Sequence, residues 1–113
     1  MKFNIRLACL AELDDLTDLV LRSKFYWGYD EVHRASLRKL LTVSQERVCA
    51  QDCWVAETTE GVKAGICQLD PKQIPAHLDL LFVDPEFIKK GAGTFLFEHV
   101  LREAHRRSIS RIN

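Results

Sequence analysis

Hydrophobic and polar residues alternate at the start of the chain. Phe3, Ile5 and Leu7 are separated by Asn4 and Arg6, which predicts a half-buried strand over 2–7. The period then lengthens. Leu13, Leu16, Leu19 and Val20 recur at helical spacing, with Asp14, Asp15 and Asp18 on the other side and near the N-terminus, where the helix dipole favours anions. This predicts a helix over roughly 11–24, running into an aromatic cluster, Phe25-Tyr26-Trp27-Gly28-Tyr29. A second helix is predicted over 31–41, with Val32, Leu37, Leu40 and Leu41 as its apolar side, and 42–46 reads as a turn with a helix cap.

Trp54–Thr58 and Val62–Leu69 read as two strands joined by a tight turn at Thr59-Glu60-Gly61. Asp70-Pro71 and Pro75 interrupt the pattern. Residues 77–83 are the most apolar strand, which predicts a central place in the sheet. After the loop 84–91, Leu96, Phe97, Val100, Leu101 and Ala104 predict the buried stripe of a last helix. His99 and His105, among its charged residues, are expected to face solvent, and a further strand begins at Ile109. The order β-α-α-β-β-β-α-β, with antiparallel hairpins early and a strand-loop-helix crossover late, predicts an α/β (α+β) fold: a mixed sheet flanked by helices.

Composition narrows the class. At roughly 150 residues per domain, 113 residues make one domain, spanning 1–113. Sixteen Lys and Arg balance sixteen Asp and Glu, which excludes a generally basic nucleic-acid binder. A hydrophobic fraction of 47% belongs to a packed core rather than to a charge-driven disordered chain. Apolar runs such as Leu80–Val83 are far shorter than the ~20 residues of a membrane span. The opening Met1–Arg6 has a charge within its apolar stretch and no small-residue cleavage site, so it does not read as a signal peptide. The expectation is a soluble cytoplasmic domain with no membrane or nucleic-acid partner. Cys9, Cys49, Cys53 and Cys67 show no C-x-x-C pair and no companion histidines at zinc spacing, which reads as free thiols and no metal.

One segment stands out chemically. A buried strand ends at Val83; a loop with Lys89, Lys90 and Gly91 follows; a strong helix opens near Gly93. The first N–H groups of a helix lack intrahelical acceptors and carry the positive end of the dipole. Gly91 and Gly93 allow a phosphate to approach the backbone, and the lysines add positive charge. The alternative is a plain βα turn with glycines for tightness.

The longer stretch Val83-Asp84-Pro85-Glu86-Phe87-Ile88-Lys89-Lys90-Gly91-Ala92-Gly93-Thr94 resembles the acyl-CoA-binding motif of the GNAT superfamily of N-acetyltransferases. There the motif reads Arg/Gln-x-x-Gly-x-Gly/Ala. Gly91 and Gly93 match its last two marked positions; Ile88 stands at the first, as in a subgroup reading Pro-x-x-Ile-Gly-x-Gly-x-Gly, where Lys89 replaces a frequent glycine. Ile5-Arg6-Leu7-Ala8 with the acidic helix start, and Leu19–Lys24 leading into the aromatic cluster, resemble the family's opening elements.

The resemblance implies transfer of an acetyl group from acetyl-CoA to a primary amine of a small molecule or peptide. It implies main-chain contacts to pantetheine from Phe82 and Val83, and a pyrophosphate cradle from Lys89, Lys90, Gly91, Ala92, Gly93 and Thr94. Only a neutral amine attacks, so a base is needed. Asp79 falls where many members carry a proton-accepting Glu; four residues before Val83, it lies by strict alternation on the face opposite Leu80 and Phe82. The other reading of Asp79 is a carboxylate hydrogen-bonded at the sheet rim. Tyr26, Trp27 and Tyr29 are candidates for an acceptor-site wall that attracts a cationic amine, or simply pack a helix corner. His33 and His77 are weaker candidates for a base.

The family's domain continues past the strand at Ile109 with a helix that carries a Tyr-type acid, and with a closing hairpin. The expectation is therefore a C-terminally truncated member, with strand 77–83 left as an open edge that a homodimer would cover. The alternative function is a non-catalytic CoA-binding or dimerisation module.

Overall fold

The computed structural model describes residues 2–26, 43–72, 75–109 and 112. The second predicted helix, 31–41, lies outside them, as do Trp27, Tyr29 and His33. β1 spans Phe3–Leu7, and a 3-10 turn at Leu10–Glu12 leads into α1, Leu13–Tyr26. Ser44 caps the short α2, Gln45–Cys49, by accepting a hydrogen bond from the Arg47 amide. β2 (Cys53–Thr58), β3 (Lys63–Asp70) and β4 (His77–Val83) follow, then a 3-10 turn at Pro85–Phe87 and α3, Ala92–Arg106.

The strands form one sheet in the order β1-β2-β3-β4, with every neighbouring pair antiparallel. Beyond β4, Ile112 makes a parallel bridge to Ala76, so the sheet is mixed where the next strand begins. Among the described residues β4 is the last full strand, with the Ile112 bridge beyond it. Its apolar character follows from cover on both faces. Leu80 and Phe82 pack with the α1 core, and Leu78 and Leu81 with the α3 core, so helices cover both faces.

Alternation along β2 and β3 sorts the core into two layers. Val55 and Ile66 pack with Leu16, Leu19 and Val20 of α1, whereas Trp54, Ala56 and Cys67 pack with Leu96 and Val100 of α3. Each fully buried Leu contributes about 1.5–3 kcal/mol. On α3 the buried side is Ala92, Leu96, Val100 and Ala104, a single i, i+4 row. Phe97 and Leu101, expected within that stripe, are instead 43% and 49% exposed. One row suffices because the helix meets the sheet along a narrow line. His99 also departs from expectation: its ring lies edge-on to Trp54 at 5.2 Å, and its Nε2 is buried with no hydrogen-bond partner among the described residues.

Strict alternation fails on β4. Gln68 pairs with Leu80 but Leu69 pairs with Leu78, so Asp79 is the extra residue of a bulge. The bulge changes the phase of the strand and is how Leu78 and Leu81 reach the same core layer. The expected face for Asp79, derived from unbroken alternation, does not carry across it.

Candidate functional site

The loop after β4 is held at both ends. Asp84 has its amide on the Ala64 carbonyl at 2.8 Å, and its Oδ1 accepts from the Glu86 amide at 3.1 Å. Its Oδ2 accepts from Arg22 Nη2 at 2.7 Å and Nε at 3.1 Å, which ties the loop to α1. Phe87 is buried with Ala64 and Ala92, and meets the Phe3 ring edge-on at 6.2 Å. Pinned this way, the chain makes two left-handed residues, Lys89 at φ 64° and Gly91 at φ 90°. Lys89 occupies a conformation that glycine adopts at no cost and that costs a side-chain-bearing residue about 1 kcal/mol.

Gly91 is the N-cap of α3 and no side chain caps the helix. The first helical hydrogen bond runs from the Phe95 amide to the Gly91 carbonyl at 3.0 Å, so the amides of Ala92, Gly93 and Thr94 precede the ladder. A Cβ placed on Gly91 would meet nothing within 4 Å, so the space beside that backbone is open. These amides front a cavity of about 580 Å³. One wall is the end of β4, Leu81, Phe82 and Val83. Another is the loop and helix start, with Ile88, Lys89, Gly91, Ala92, Gly93 and Thr94. The last turn of α1 closes it with Ser23 and Lys24. An uncapped helix start, a lysine beside it and an apolar strand wall suit a ligand with an anionic end and a long, weakly polar arm.

Of the cradle and pantetheine residues expected from sequence, Phe82, Val83, Lys89, Gly91, Ala92, Gly93 and Thr94 converge on this cavity, and Lys90 does not line it. Asp79 stands outside the lining, with its Oδ1 3.7 Å from His77 Nε2. Tyr26 ends α1 and is 58% exposed. Sequence reasoning missed Ser23 and Lys24. The signal available was slight: Ser23 continues the Leu16, Leu19, Val20 face as a small polar residue on an apolar stripe.

The fold and the family are shared with known proteins. A profile described as Acetyltransferase (GNAT) family matches residues 13–113. The chain belongs to the GNAT acetyltransferase family, and membership places it among acyl-transferring proteins. No curated protein matches its sequence. Among solved structures, the fold is similar to PaiA N-acetyltransferase from Thermoplasma acidophilum, determined in complex with coenzyme A, at TM-score 0.82 and 17% identity over 96% of this chain and 76% of that one. YjaB from Escherichia coli, in its apo form, is 26% identical with TM-score 0.68, over 91% of this chain and 67% of that one. A GCN5-related N-acetyltransferase from Ralstonia eutropha JMP134 gives TM-score 0.73 at 19% identity, over 99% and 82%. No described helix is long and apolar enough to cross a membrane.

Proposed function

We propose that this chain transfers an acetyl group from acetyl-CoA to a primary amine of a small molecule or peptide. The observation that carries this reading is the cavity of about 580 Å³ joining the uncapped start of α3 to the end of β4. The pyrophosphate sits on the loop and helix amides from Lys89 to Thr94, with Lys90 adding charge from outside the lining. The pantetheine arm follows β4 past Val83 and Phe82. Apart from the Ala76–Ile112 bridge, the outer edge of β4 has no neighbouring strand among the described residues, which leaves main-chain groups for that arm.

From Val83 back to Asp79 a strand covers about 13 Å at ~3.3 Å per residue, a span suited to an extended arm anchored at the helix start. The thioester then lies near the bulge, and Asp79 takes the proton of the incoming ammonium, directly or through water. The freed amine nitrogen bonds to the carbonyl carbon, and the carbon–sulfur bond breaks. The sulfur leaves with the electron pair and takes up the second proton that the nitrogen sheds, relayed by water, which leaves a neutral amide and the CoA thiol. This reading assigns the acceptor amine to Tyr26 at the end of α1 and, from the sequence alone, to Trp27 and Tyr29, which lie outside the described residues.

Titration calorimetry with acetyl-CoA, followed by turnover across a panel of amines, tests this reading. Binding together with acetylation that Asp79→Asn slows by about a hundredfold or more supports it. Normal binding with no amine acetylated would establish the non-catalytic CoA-binding module instead. Absence of binding at millimolar ligand would end both.

A further inference from the structure

The sequence assigns Lys24 no role in the site, yet it lines the cavity together with the loop. We infer that Lys24, on the last turn of α1, is a second cationic contact for the pyrophosphate of the acyl donor, facing Lys89 across the site. The inference rests on the CoA reading of this cavity and adds to it the residue that completes the charge around the anion.

Three observations carry it. First, among the described residues the cavity's lining includes Lys24 and Lys89 and no carboxylate. The neighbouring cavity of about 560 Å³ is lined by Asp15, Asp18, Asp84 and Glu86 against Arg22 and Lys63, an excess of carboxylates that would repel a polyphosphate. The charge pattern thus separates two cavities of similar size.

Second, α1 ends at the cavity: Ser23 and Lys24 line it three and two residues before the helix's last, Tyr26. A helix C-terminus presents carbonyls and the negative end of its dipole, which alone would disfavour an anion there. Lys24 is the basic residue of that last turn and offsets this field where the anion must sit.

Third, Ile88 supplies no charge from the loop, and Lys90 does not line the cavity, so Lys89 is the loop's one cation among the lining residues. A diphosphate carries two negative charges. A lysine from α1 balances the second, and the Arg22–Asp84 pair two residues earlier holds α1 in register with the loop.

Calorimetric Kd values for CoA and dephospho-CoA, at low and high salt, test the assignment on the wild type, Lys24→Ala, Lys24→Arg and the surface control Lys2→Ala. Lys24→Ala is expected to weaken both ligands about tenfold and to flatten the salt dependence. Lys24→Arg should retain most affinity, and Lys2→Ala should match the wild type. Equal melting temperatures for Lys24→Ala and wild type separate contact from folding. Affinities within twofold of wild type would overturn the inference and leave the CoA reading standing. A loss seen with CoA and not with dephospho-CoA would also overturn it, by moving the contact to the 3′-phosphate. A wild-type chain that binds neither ligand would remove the underlying reading itself.

Discussion

Arg22 and Asp84 form a two-pronged pair, with Asp84 Oδ2 2.7 Å from Nη2 and 3.1 Å from Nε of Arg22, and this pair fastens α1 to the loop that opens the candidate site. The two partners are unequal. Asp84 is 8% exposed and also caps the Glu86 amide, whereas the Arg22 side chain is 51% exposed. Asp84→Ala leaves the Glu86 amide without its acceptor and is expected to lose about 1–3 kcal/mol. Arg22→Ala, acting at an exposed partner, should lose less than about 1 kcal/mol. Urea denaturation of both variants checks the ranking; equal losses would mean that Asp84 does no more than pair with Arg22.

Two glycines are constrained for opposite reasons. Gly65 has no room: an added Cβ would sit 2.7 Å from Leu96 Cδ1 and 2.9 Å from the Phe82 carbonyl oxygen. Gly65→Ala must push α3 or β4 away, at a cost of about 1–3 kcal/mol in stability. Gly91 has room but a left-handed φ of 90°. Gly91→Ala is expected to lose about 1 kcal/mol from backbone strain and to weaken CoA, because its methyl enters the space beside the amides. Paired measurements of chemical stability and CoA affinity should show Gly65→Ala losing mainly the first and Gly91→Val losing the second most strongly. Unchanged affinity in Gly91→Val would place the cradle elsewhere.

His99 makes the fold sensitive to acid. Burial beside Trp54 favours its neutral form and lowers its pKa from the ordinary 6.5; Arg102 acts in the same direction and Glu103 against it. The Arg107 guanidinium, 5.4 Å from the Trp54 ring, is a further cation on that side. The unfolded chain therefore binds a proton more readily than the folded one as pH falls below about 6.5. Stability is unpenalised above that value and declines below it. His99→Phe keeps a ring against Trp54 and removes the titration. Its melting temperature should fall less than that of the wild type between neutral and mildly acidic pH. Parallel declines would remove His99 as the cause.

The cysteines divide by depth. Cys53 and Cys67 lie in opposite core layers, and burial pushes the Cys53 thiol up to about 12 and raises Cys67 as well. Cys9 and Cys49 are exposed. A thiol reagent at neutral pH should modify Cys9 and Cys49 rapidly, and Cys53 and Cys67 only in denaturant. Rapid modification of all four in the native state would contradict this packing.

Much of the site was legible in the sequence because its parts are local. Glycine at a left-handed turn, a helix start without a capping side chain and a lysine beside them are properties of consecutive residues, Lys89 to Thr94. The β2–β3 hairpin and the phase of α1 were legible for the same reason. The expected length of α1 fell short at its C-terminal end, since the helix runs on to Tyr26. Ser23 and Lys24 lay within the expected helix, and what sequence reasoning overlooked is that this part of it forms a cavity wall.

By itself, the sequence determined the helix or strand character of β1, α1, β2, β3, β4 and α3, and the family that the loop motif points to. Side-chain periodicity and turn chemistry act over a few residues and need no partner. Only the tertiary structure decided that β4 is the last full strand among the described residues, that Asp79 is the extra residue of a bulge, and that Lys24 lines the same cavity as the glycine loop. Those facts depend on register between strands and on how α1 packs across them, which are set by contacts between residues far apart in the chain.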